Sequence, residues 1–155
     1  MNKEWDRLIE VRNEYHSILG NMLASDRSTV VEFVNESLLK PNERYVALAV
    51  AESFTPDELK NIFKNLVLTA SWAHAHTMTA RNLVLKIPCE WVLQHIETVM
   101  EPILATGEPD EFRRMMELAW KIDRALLLRI CKRAVIHPNS EIREAGEDFI
   151  EKLAV

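Results

Sequence analysis

Ile136-His137-Pro138-Asn139-Ser140-Glu141-Ile142-Arg143-Glu144-Ala145 reads as one helix ending, a short loop, and a second helix starting. Pro138 cannot extend the helix before it, because it has no amide hydrogen to donate and its ring crowds the preceding turn. Beyond the loop, Ile142, Ala145, Phe149 and Leu153 fall within about 80° of arc at 100° per residue, so the new helix carries one apolar stripe. Gly146 lies on that side, where a missing side chain lets a neighbouring helix approach. Glu144, Glu147 and Glu151 lie opposite, toward water.

The same grammar extends toward the N-terminus. A first helix is predicted over 3–24, with Trp5, Leu8, Val11, Tyr15, Ile18, Leu19 and Met22 at three- and four-residue steps. Ser25-Asp26-Arg27-Ser28 breaks it, and Thr29-x-x-Glu32 has the form of a capping box. The second helix is expected to turn Val30, Phe33, Val34 and Leu38 inward and to stop before Pro41; the third, 43–53, to bury Tyr45, Leu48 and Ala51. Thr55-Pro56-Asp57-Glu58 is a stronger start signal, combining an N-cap hydroxyl, proline at the first helical position and an acid placed to complete a capping box. Leu59, Ile62, Phe63, Leu66, Val67 and Ala70 then form a continuous stripe. Residues 72–79 read as a loop or early helical turn, followed by a helix ending before Pro88. A further helix over 89–105 contains Pro102, which predicts a kink or an early end. Thr106-Gly107-Glu108-Pro109 is a stop and restart, and helices over 110–122, 124–136 and 140–154 complete the chain.

At 155 residues the chain is expected to form one domain over 1–155, large enough to bury roughly 68–70% of its unfolded surface. Its three glycines, Gly20, Gly107 and Gly146, are too few for the tight turns of a hairpin-rich β fold. The net charge of −5 disfavours a general nucleic-acid binder. Cys89 and Cys131 are far apart and have no metal-spaced partners, which predicts two buried free thiols in a reducing compartment. The N-terminus lacks the apolar core of a signal peptide, and no apolar run reaches the roughly 18 residues of a membrane span. The chain is therefore expected to be cytoplasmic, with no membrane partner.

The 136–145 junction, followed by Phe149 and Leu153, resembles the HEAT-like α-helical repeat family, in which a proline-bearing loop leads into a helix opened by an aliphatic-Arg pair. Similar openings occur at Pro41-Asn42-Glu43-Arg44-Tyr45, Thr79-Ala80-Arg81-Asn82-Leu83 and Pro109-Asp110-Glu111-Phe112-Arg113. Taken as register marks, Arg44, Arg81, Arg113 and Arg143 are spaced within the range of solenoid repeats. The resemblance implies an all-α, irregular α-solenoid of about eight or nine antiparallel helices, or a compacted bundle, with residues 1–40 as N-terminal cap helices and 41–155 as helix pairs. The family often places an Asp six residues before the register Arg; here Leu38, Ala75, Gly107 and His137 stand there, so a regular Asp–Arg ladder is not expected. The resemblance further implies a groove formed by helices near 57–70, 89–105 and 124–136. Lys60, Lys64, Glu90, Gln94, Glu97, Arg129, Lys132 and Arg133 are its candidate partner-binding residues.

Among the four tryptophans, Trp5 and Trp120 sit on apolar stripes and are expected in the core, whereas Trp72 and Trp91 are candidate partner contacts. Residues 89–111 carry six acids and no base, while 112–133 carry seven bases against Glu117 and Asp123. Adjacent helices of this kind either neutralise each other or present two opposed patches to charged partners. The reading that follows is a non-catalytic protein–protein interaction module without cofactor or metal, such as an adaptor or an inhibitor of the toxin-immunity type. One alternative is nucleic-acid binding by the basic 113–133 segment. The other is a metal-dependent or acid–base enzyme around His74-x-His76 and His95, with Cys89 as a further ligand or Glu90 as a carboxylate partner.

Overall fold

The computed structural model describes residues 2–154, which form ten α-helices and no strand. They are α1 (Lys3–Leu23), α2 (Arg27–Ser37), α3 (Arg44–Ala51), α4 (Pro56–Asn61), α5 (Phe63–Ser71), α6 (Thr77–Leu85), α7 (Cys89–Thr106), α8 (Pro109–Ile122), α9 (Arg124–Ala134) and α10 (Ser140–Ala154). None of them is long and apolar enough to cross a membrane.

Local chemistry accounts for the breaks. At α4 the expected capping box forms: the Glu58 amide donates to the Thr55 hydroxyl at 3.3 Å, and the Thr55 amide donates to the Glu58 carboxylate at 2.8 Å. The stripe that follows does not continue as one helix. The Ile62 amide bonds the Leu59 carbonyl three residues back at 3.2 Å, and this tightened turn separates α4 from α5. That split accounts for the tenth helix. The box expected at Thr29 and Glu32 is absent, because Asp26 takes the N-cap of α2, accepting from the Ser28 amide at 3.2 Å and from the Thr29 hydroxyl at 2.6 Å. α7 runs through Pro102 and ends at Gly107, whose φ of 70° is the left-handed conformation glycine tolerates.

α2 packs on α3, α5 on α6, α7 on α8, and α9 on α10. α5 and α8 also touch across the pairs, as do α8 and α9. Helices α2, α4–α5 and α7 follow one another along one row, joined to α9 by ion pairs, while α3, α6, α8 and α10 form the other. One continuous apolar core runs between them from Val30 to Phe149. At the C-terminal end α10 lies very close to α9: a Cβ on Gly146 would stand 2.7 Å from that of Ala134. The register arginines repeat one contact at two places. Arg44 donates to the Leu38 carbonyl at 2.9 Å and Arg143 to the His137 carbonyl at 2.8 Å. In both, the acceptor is the backbone carbonyl of the residue six positions earlier.

Four aromatic side chains expected inside lie on the surface. Trp5 is 61% exposed because nothing packs on the apolar face of α1; only Leu19, Met22 and Leu23, at its end, reach the core. α1 thus packs on the rest of the chain only through its C-terminal end, while α2 contributes Val30, Val31 and Val34 to the core. Phe33 rims a groove between α2 and α3 with Met22 and Val46, and Tyr45 lies against the His76 ring at 4.6 Å. Trp120 is 45% exposed. On the α8 wheel it stands about 40° beyond Met116, the edge of the buried arc.

Candidate functional site

The residues singled out from the sequence fall mainly on the row of α4, α5, α7 and α9. Trp91 is half-buried there, with its indole stacked on His95 at 4.0 Å and meeting the edge of Phe63 at 5.1 Å. The Lys60 ammonium lies 5.7 Å from the Trp91 ring and 2.7 Å from Asp57. Lys64, Glu90 and Gln94 are exposed along the same row. Trp72 is held apart from this cluster, at the end of α5 under the Arg44 guanidinium, 4.7 Å from its ring.

Farther along this row, acids and bases meet. Arg129 donates to Glu97 through Nε at 2.9 Å, and Arg133 grips Glu101 through two bonds of 2.6 and 3.0 Å. The Arg133 hydrogen bond holds the Glu101 carboxyl below its usual range. Glu101 was not among the sequence candidates, although it stands one helical turn after Glu97, as Arg133 stands one turn after Arg129. Elsewhere in the basic segment, Arg113 lies 3.7 Å from Asp148 and Arg114 3.8 Å from Asp110, while Arg124 donates to the Leu153 carbonyl. Lys121 and Lys132 have no acidic side chain within 4.0 Å among the described residues.

His74 and His95 each bond a backbone carbonyl through a ring nitrogen. The His76 amide donates to His74 Nδ1 at 3.0 Å, so Nε2 carries the proton that reaches the Thr69 carbonyl at 2.8 Å. Burial lowers the His74 pKa, in keeping with this neutral tautomer. His95 Nδ1 faces the Trp91 carbonyl at 2.7 Å, one turn back on its own helix. Among the described residues no group of three or more His, Cys, Asp or Glu side chains is disposed to hold a metal ion. Cys89 and Cys131 are both free, but Cys89, expected inside, lies exposed at the start of α7, whereas burial pushes the Cys131 thiol up to about 11.

The opposite row holds an open groove of about 320 Å³ between α6, α8 and α10, lined by Arg81, Glu117, Trp120, Lys121, Phe149 and Lys152. The Trp120 and Phe149 rings are 6.1 Å apart, and the Lys152 ammonium sits 5.1 Å from the Phe149 ring. Beneath them Arg81, only 5% exposed, binds Glu117 at 2.6 Å while its buried Nε has no hydrogen-bond partner. The sequence alone does not point to this groove, because Trp120 follows the apolar spacing of α8 and because Arg81 and Lys152 come from helices distant in sequence.

No family model, curated protein or solved structure matches this chain.

Proposed function

We propose that this chain is a non-catalytic protein–protein interaction module, built as an irregular HEAT-like stack of helix pairs and working in the cytoplasm. Support for the stack comes from the two rows of helices and from the repeated arginine-to-carbonyl contact at 38–44 and 137–143. The observation that carries the functional reading is the Trp120 groove. A half-exposed indole beside a buried Phe149, ringed by Lys121, Lys152 and the Arg81–Glu117 pair, has the make-up of an interface anchor. It holds three bases against one acid on a chain of net charge −5, so it fits an acidic segment bearing an apolar or aromatic anchor.

The α5–α7–α9 row is the second contact surface, with Trp91 as its centre. Because Glu97 and Glu101 neutralise Arg129 and Arg133, this row offers less net charge than the sequence suggests. The same pairing weighs against nucleic-acid binding, which needs bases free to displace counterions from phosphates. An adaptor or an inhibitor of the toxin-immunity type remains the specific form of the proposal.

Affinity capture with the full chain, followed by reconstitution from purified proteins, tests it. A partner retained by the native chain and by Trp91→Ala, but weakened about tenfold or more by Trp120→Ala, is the expected result. A partner held equally by all three, or steeply salt-dependent duplex binding in place of any protein, would contradict it.

A further inference from the structure

Arg81 is the one buried charged residue among the described residues, and it lines the Trp120 groove. Its guanidinium is under-bonded. Nη2 donates to Glu117 at 2.6 Å and lies 3.5 Å from the Arg114 carbonyl, while Nη1 meets only the soft Met78 sulfur at 3.8 Å. Nε is buried and has no hydrogen-bond partner. Nε and Nη2 form one side of the guanidinium fork, a side that a carboxylate can grip with both oxygens. Glu117 fills only the Nη2 half of it.

The two members of this pair are unequally placed. The Glu117 side chain is 40% exposed and that of Arg81 only 6%, so the carboxylate can withdraw into water and the guanidinium cannot. A buried guanidinium without a counter-charge is strongly unfavourable. A second carboxylate that reaches the fork as Glu117 leaves it avoids that state, because one hydrated carboxylate simply takes the place of another. The resident Glu117 also identifies the anion that the fork accepts. On the rim, Lys121 and Lys152 are exposed and have no carboxylate within 4.0 Å among the described residues. Their charge draws an anion toward the groove.

We infer that Glu117 is an exchangeable resident of this site: a carboxylate entering the groove displaces it from Arg81, which makes Arg81 the residue that reads the acid of the partner segment. The inference rests on the reading of the groove as the contact for an acidic segment with an aromatic anchor. Phenylacetate carries both groups in one small probe, and phenethyl alcohol lacks the charge. Nuclear magnetic resonance of the full chain follows the Arg81 Nε–H signal, assigned by its loss in Arg81→Lys. Phenylacetate shifts this signal saturably, with a dissociation constant on the order of millimolar, and the alcohol binds at least about tenfold more weakly. Glu117→Gln keeps an acceptor beside Arg81 but removes the competing charge, and it tightens phenylacetate about tenfold. Glu144→Gln removes the same charge from the exposed face of α10, away from the groove lining, and changes the affinity by less than about twofold. A purely structural Arg81–Glu117 pair gives no such gain. No saturable shift, equal affinity for acid and alcohol, or a Glu117→Gln chain that binds the acid no more tightly overturns the inference. The reading beneath it fails separately. Partner capture that Trp120→Ala leaves unchanged contradicts that reading, while the titrations of the native chain and of Glu117→Gln still decide the exchange at Arg81.

Discussion

α1 and α10 are both amphipathic helices at an end of the chain, yet α10 is buried along its stripe while α1 meets the core only through Leu19, Met22 and Leu23 at its C-terminal end. α10 sinks Ile142, Ala145, Gly146 and Phe149 against its neighbours. Their glycines mark the difference. A Cβ on Gly146 would meet Ala134 at 2.7 Å, whereas one on Gly20 would meet nothing within 4 Å. An apolar stripe defines a face to be covered, but small residues at the point of closest approach decide whether a neighbouring helix of the same chain can cover it. α9 and α10 meet that condition. The face of α1 is left open.

The sharpest way to break this contrast is to fill both glycines. Gly146→Ala must push α10 off α9 and should lower stability by about 1–3 kcal/mol, the usual cost of overpacking, read from urea unfolding. Next in size is the tie between α2 and α4, where Arg27 donates twice to Glu58, at 2.8 and 2.7 Å. The Arg27 hydrogen bond holds the Glu58 carboxyl down to about 2, against 4.5 unperturbed. Because the folded pKa is the lower one, this stabilisation is fully present above pH 4.5 and is lost as the pH falls toward 2. Glu58→Gln should therefore cost about 1–2 kcal/mol near neutral pH, after allowance for solvent screening, and much less near pH 2. Unfolding curves at the two pH values give the comparison.

The exposed Glu97–Arg129 pair should matter less. Arg129→Ala is expected to change stability by under about 1 kcal/mol, and less at high salt, in a salt series of melting temperatures. Smallest of all, Gly20→Ala should leave the unfolding midpoint of the body in place while raising the helicity of α1, since alanine favours a helix over glycine by up to about 1 kcal/mol and meets no obstacle there. Circular dichroism separates the two effects.

Much of the helix map was legible because its punctuation is chemical: Thr55-Pro56-Asp57-Glu58, Gly107 and Pro138 act within a turn or two of chain. The close approach at Gly146 was legible for a similar reason, since a glycine on an apolar stripe has few other uses. The errors arose where burial depends on distant chain. Nothing within α1 reveals that its face lacks a cover, and nothing within α8 reveals that Trp120 lies where α6 and α10 leave a groove. The break at Ile62 was hidden because the apolar stripe runs on unbroken through it. Among the candidate site residues, helix periodicity placed Trp91 and His95 one turn apart. The pairing of Glu97 with Arg129 and Glu101 with Arg133 needed the packing of α7 beside α9.

The contrast between the two ends is tested most directly by hydrogen–deuterium exchange of the full chain in dilute solution. The amides of α1 from Leu8 to Ile18 should exchange rapidly, while those of α10 around Gly146 and of α5, α8 and α9 stay protected. Protection of that part of α1 as strong as that of α10 would contradict an open face.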